Sequence, residues 1–137
     1  MRRAPCLLLI VACAPAASGP GSQAPQGVAA VEYQYPDIPA GATAERPVPV
    51  DTPDPPAQQL LATEAGMFKK GLHTNRTYYC VHPSGTTETV TTVLKTVDPQ
   101  IDQIVRDTVA AWRFKPAIHQ GQPTRACGRV EFNFKFG

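Results

Sequence analysis

Few side chains in this sequence can do chemistry. The 137 residues include four cysteines and three histidines: Cys6, Cys13, Cys80 and Cys127, with His73, His82 and His119. Covalent catalysis needs a nucleophile beside a base that a third group orients. No Ser/His/Asp spacing, metal-binding helix motif or glycine-rich phosphate loop supplies one. The histidines fall in loops or at strand ends, and the carboxylates Asp98 and Asp102 fit helix capping and helix solvation. The sequence therefore reads as a protein that is no enzyme and needs no cofactor.

Two chemistries remain for Cys80 and Cys127. One is a disulfide. The other is a metal site adding His82 and His119, but Cys-x-His followed by a distant cysteine matches no standard zinc spacing. No metal is expected. Which chemistry holds depends on the redox compartment, and the N-terminus speaks to that.

"MRRAPCLLLIVACAPAA" has two arginines, an apolar run and then small residues, the layout of a secretory signal over residues 1–13. About 14 residues at 1.5 Å each reach roughly 21 Å, short of a hydrocarbon core of roughly 30 Å. Two exits are written into it. Ile10-Val11-Ala12-Cys13 resembles a lipobox, with Cys13 as the lipidated residue; Ala14-Pro15-Ala16 offers ordinary cleavage. Either exit leaves the cytoplasm. Cys6 and Cys13 are then lost or lipidated, and the remaining even pair, Cys80 and Cys127, reads as a disulfide. Closing a loop of about 46 residues contributes roughly 3–4.5 kcal/mol on the chain-entropy view.

Residues 14–58 hold ten of the fifteen prolines. Few large apolar side chains offset the entropy of ordering them, so a disordered Pro-rich spacer is expected, with "VEYQYP" (31–36) the one hint of order. Charge divides along the same line. The spacer carries one basic and five acidic residues, a net −4, and residues 59–137 carry ten and six, a net +4. No Lys/Arg stripe accompanies that mild excess, which speaks against nucleic acid.

Residues 59–137 must therefore supply the fold. Leu60–Phe68 suggests a short helix weakened by Gly66. "RTYYCVHPSGTTETVTTVLKT" reads as a hairpin about Pro83-Ser84-Gly85, with Thr77, Tyr79 and Val81 on one face. Asp98 is a good N-cap and Pro99 suits the first helical position. Apolar or semi-apolar residues at 101, 104, 105, 108, 109 and 112 then make one helical stripe, with Asp102, Gln103, Arg106 and Asp107 on the remaining surface. Pro116 should end this helix near Arg113–Lys115. "GRVEFNFKFG" alternates Val130, Phe132, Phe134 and Phe136 with Arg129, Glu131, Asn133 and Lys135, a half-buried strand. The fold class is α+β: a three-stranded antiparallel sheet, order 2-1-3, with one helix on one face. Cys80 and Cys127 then meet on the opposite face.

From Tyr78 to Phe136 these pieces resemble the C-terminal domain of the TonB family. The resemblance rests on the strand and turn at Gly85, "TTVLKT", Ile101-Asp102, "AAWRFKPA", "GQP" and the closing Phe-x-Phe. Trp112, Phe114 and Pro116 are its fold motif, and the cysteine pair is similar to that of divergent, disulfide-bearing members. The resemblance implies a periplasmic module that captures an extended peptide of an outer-membrane transporter or other envelope partner by β-strand addition. Energy-dependent transport is implied by the resemblance alone, because the sequence shows spacer and domain without a spanning helix. Membrane contact would come only through a lipid anchor. The final strand lies at an edge, so Arg129, Glu131, Asn133 and Lys135 are the partner-binding candidates, and a second copy could pair there. The alternative is a structural envelope lipoprotein whose small domain dimerises or packs on a complex.

Overall fold

The structure, a computed structural model, describes residues 26–137; the signal segment and Cys13 lie outside the described residues. Its elements are α1 (Gln26–Ala29), β1 (Val48–Asp51), α2 (Ala57–Leu61), α3 (Glu64–Phe68), β2 (Gly71–Val81), β3 (Thr87–Leu94), α4 (Pro99–Ala110), β4 (Arg113–Lys115), β5 (Ala117–His119), β6 (Gln122–Thr124) and β7 (Ala126–Phe136). The class is α+β. The main sheet is three-stranded and antiparallel, with β2 paired to β3 on one side and to β7 on the other. β1 pairs with β4, and β5 with β6.

The helix stripe and the strand alternation meet in one core. Tyr79, Val81, Val130, Phe132 and Phe136 of the sheet pack with Ile101, Val105 and Val109 of α4. Trp112 is fully buried at the centre of an aromatic cluster, with ring centroids 5.7 Å from Tyr79, 6.1 Å from Phe114 and 6.0 Å from Phe132. It lies beyond the helix. α4 stops at Ala110, earlier than expected, and Arg113–Lys115 is a strand. The chain leaves helical geometry ahead of Pro116 because Phe114 N–H donates to Gly85 O at 2.9 Å, fixing this stretch against the β2–β3 turn. Gly85 permits that approach: its φ is 94°, and a Cβ there would lie 2.3 Å from Phe114 O.

Further expectations need correction. Residues 26–58 are no unpacked tether. Val31 is buried in the core, β1 pairs with β4, and Trp112 Nε1 donates to Pro53 O at 2.8 Å. This segment has too few apolar residues for a core of its own, but it covers apolar surface that the small domain leaves open. The helix predicted over Leu60–Phe68 is two short helices, α2 and α3, with the Thr63 hydroxyl accepting from Gly66 N–H between them. The hairpin strand begins at Gly71 rather than Arg76, and residues 117–124 form the β5–β6 hairpin. Four helices, rather than one, are present among the described residues.

Asp102, expected on the outer helix surface, is buried. Its Oδ1 accepts from Asn75 Nδ2 at 2.8 Å and from Thr96 N–H at 3.0 Å, and Thr77 Oγ1 donates to Asn75 Oδ1 at 2.7 Å. Asp98 caps α4 through Gln100 N–H at 2.8 Å and also holds Ala65 N–H at 2.9 Å. Thr87 Oγ1 donates to the carbonyls of Val109 and Ala110. The helix is thus attached at its start, middle and end, because buried polar groups need partners.

Asp102→Ala would orphan one buried donor, on Asn75, and one part-buried donor, at Thr96, at about 1–3 kcal/mol each. A loss of roughly 2–4 kcal/mol is expected in urea unfolding, while Asp102→Asn, which keeps the accepting oxygen, loses less than half of that. An alanine variant as stable as wild type would show that this network contributes nothing.

Candidate functional site: the outer edge of the last strand

β7 is eleven residues long and pairs with β2 without a register shift, from Gly71 opposite Phe136 to Val81 opposite Ala126. Cys80 stands opposite Cys127 and is bonded to it. The candidate metal set is therefore dispersed: the two sulfurs bind each other, His82 Nδ1 bonds Ser84 Oγ, and His119 Nδ1 bonds Thr43 O.

Which backbone groups of β7 face outward follows from a single residue. Cys127 exchanges two hydrogen bonds with Gln34, donating at 2.8 Å and accepting at 2.7 Å, on the side away from β2. Cys80 and Cys127 are then a non-hydrogen-bonded pair within the ladder, in keeping with their close Cα atoms, 4.0 Å apart. Alternation along a strand carries the same orientation to Arg129, Glu131, Asn133 and Lys135. Their N–H and C=O groups point away from the sheet. Among the described residues, no backbone hydrogen bond is made to Asn133 or Lys135 on that side.

The edge is divided. Its first half is covered by residues 27–34: a Cβ on Gly128 would lie 2.5 Å from Val31 Cγ1, and one on Gly27 would lie 3.5 Å from Glu131 O. The sequence expectation of an open edge from Arg129 onward thus holds only for its second half. A groove of about 1090 Å³ wraps the boundary. On the helix side it is lined by Pro55, Ala57, Leu60, Phe132 and Phe134, and on the other by Arg76, Tyr78, Arg129, Glu131 and Asn133. An extended segment laid here meets apolar surface on one face and charge on the other.

The charged wall is partly engaged with β2. Arg76 pairs with Glu131 at 2.8 Å, and Thr74 Oγ1 donates to Asn133 Oδ1 at 2.7 Å. Hydrogen bonds from Arg76 and then Asn133 hold the Glu131 carboxyl below the usual range. Among the described residues, Arg129 and Lys135 make no side-chain hydrogen bond. The opposite edge, β3, differs: its pairing with β2 shifts register twice, and Thr89 has a φ of 55°. Such kinks blunt an edge against pairing. Of the two edges of the main sheet, β7 is the regular one.

The contributions of Val31, Gln34, Leu60 and Arg76 were not read from the sequence. The alternation Val31, Tyr33, Tyr35 was the available signal for the first two. Leu60 and Arg76 reach the groove only through tertiary packing.

Residues 74–136 match the family described as Gram-negative bacterial TonB protein C-terminal. With the fold described above, the match makes this stretch similar to a TonB C-terminal domain. Domains of this family are protein-binding modules of the Gram-negative envelope and are not enzymes. No curated protein matches the chain. Among the described residues, no helix is long and apolar enough to cross a membrane.

Tyr33 and Tyr79 tie the covering segment to the sheet through hydroxyls 2.6 Å apart. Burial pushes both phenols above the ordinary value of 10.0. Above pH 10 the folded state therefore holds protons that the unfolded chain has released. This stabilisation is complete below about pH 10 and is lost as pH rises beyond it. The urea midpoint should fall above pH 10; a midpoint that holds steady while both phenols ionise would contradict the burial described.

Proposed function

We propose that this domain captures an extended segment of an envelope partner, such as an outer-membrane transporter peptide, by β-strand addition to the outer edge of β7. The observation that carries the reading is the set of outward backbone groups at Asn133 and Lys135, on a regular strand beside a two-walled groove. Main-chain hydrogen bonds supply the attraction and the walls supply selection. Asn133 and Lys135 act through their backbone, and Arg129 and Glu131 act through their exposed side chains. The family's service to energy-dependent transport makes a transporter peptide the leading partner.

A second reading is favoured by a separate observation. Phe68 and Leu72 are 73% and 67% exposed near one end of the sheet, an apolar surface suited to packing on a complex or on a second copy. In either case, we propose that the protein acts in the periplasm and that Cys13 is its lipid anchor. Growth with a fatty-acid analogue should label the wild type and leave Cys13→Ala unlabelled; an unlabelled wild type ends the lipoprotein proposal.

Asn133→Pro tests strand addition directly. The Asn133 N–H points outward, so proline removes a docking donor without breaking a β2–β7 hydrogen bond. Capture of N-terminal transporter peptides should weaken at least about tenfold, the cost of roughly one hydrogen bond plus the ring's bulk. Asn133→Ala, which keeps the N–H, should lose far less than the proline variant. Equal capture by the proline variant would move the site elsewhere.

A further inference from the structure

The chain already holds an extended segment on the edge assigned above to a partner. Val31–Gln34 runs antiparallel to β7 and meets it at Gln34–Cys127. Its residues alternate as a docked strand would. Val31 is buried in the core and Tyr33 reaches Tyr79, while Glu32 and Gln34 stay exposed.

The seat for this segment is specific. Ala126 and Gly128 leave a notch in the core face of β7, and Val31 fills it. Arg46 donates to Val31 O at 3.0 Å and to Ala29 O at 3.4 Å, and its guanidinium lies 5.4 Å from the centre of the Tyr33 ring. Backbone bridge, apolar notch, phenol contact and guanidinium fork together make a built site for an extended segment.

Resting on the strand-addition reading, we infer that Val31–Gln34 is a resident occupant of the docking edge. The partner is a strand of the same chemistry, antiparallel to β7, with an apolar side chain over Gly128 and an aromatic two residues on. Asn133 and Lys135 give a partner its first hold, and because hydrogen bonds exchanged with water contribute little each, a longer hold needs the rest of the edge. A partner that uses the edge from Lys135 to Cys127 must take the resident's place. Arg46 and the notch then receive it.

The probe is a fluorescein-labelled synthetic peptide with the sequence of residues 29–36, AAVEYQYP, read by anisotropy against the whole chain. The wild type should bind it weakly, because the tethered resident competes at an effective concentration in the millimolar range. Val31→Asp with Tyr33→Ala dislodges the resident, and binding should tighten by about fiftyfold or more. Adding Gly128→Ala to that variant fills the notch and should abolish the gain.

If the opened variant keeps its near-UV circular dichroism and its disulfide but refuses the peptide, the inference is overturned. It is overturned equally if Gly128→Ala makes no difference. Should the double variant not fold, Val31→Ala keeps the Tyr33–Tyr79 contact and should bind the peptide about tenfold more tightly than wild type; no gain again overturns the inference. Capture of transporter peptides with no binding of AAVEYQYP to the opened chain sinks this inference alone. The reverse result sinks the partner reading and leaves the seat intact.

Discussion

Eleven consecutive residue pairs join β2 to β7 without a slip, and nearly everything else in the molecule follows from them. A one-residue shift would turn Val130, Phe132 and Phe136 out of the core and put Arg129, Glu131 and Lys135 in their place. The disulfide joins Cys80 to Cys127 near one end of this ladder and excludes that shift while it is intact. Register therefore decides which side chains build the core. It also decides which backbone groups β7 turns to the outside, and so links folding to the proposed docking.

The ladder alone is a thin structure, and two coverings complete it. α4 lies on one face, attached through Asp98, the Asp102–Asn75 contact and Thr87. The proline-rich segment lies across the remaining aromatic surface. Its prolines suit this role. β1 is an extended stretch in which Pro49 lacks the N–H that an interior strand would need, and Pro53 offers a carbonyl to the tryptophan indole. Composition here described a segment unable to fold alone, and the domain gives it a surface to fold upon. That arrangement also makes it the removable layer of the structure, because its contacts are to the domain and few are within itself.

Legibility in the sequence followed periodicity. The three-stranded antiparallel sheet, the capped helix and the cysteine pair all left local signals: Val130 to Phe136 at period two, Asp98-Pro99 ahead of a helical stripe, and an even pair after the leader. Expectation and structure part where tertiary packing overrides local pattern. Asp102 looked like surface because a charged residue beside a stripe usually is; only the buried Asn75 and the free Thr96 N–H make it an interior acceptor. Pro116 implies a helix end near Arg113–Lys115, whereas the Gly85 contact sets it earlier. β7 is an edge strand, as the 2-1-3 order implies, but its half-occupation by Val31–Gln34 depends on a segment whose composition argues for disorder.

Backbone amide exchange along β7, read residue by residue by NMR, tests the central claim most directly. Gly128, Val130, Phe132 and Phe134 should exchange slowly because they bond to β2, and Cys127 slowly because it bonds to Gln34. Asn133 and Lys135 should exchange near the rate of free backbone. Protection at those two positions equal to that of their neighbours, or a freely exchanging Cys127, would contradict a half-occupied, outward-facing edge.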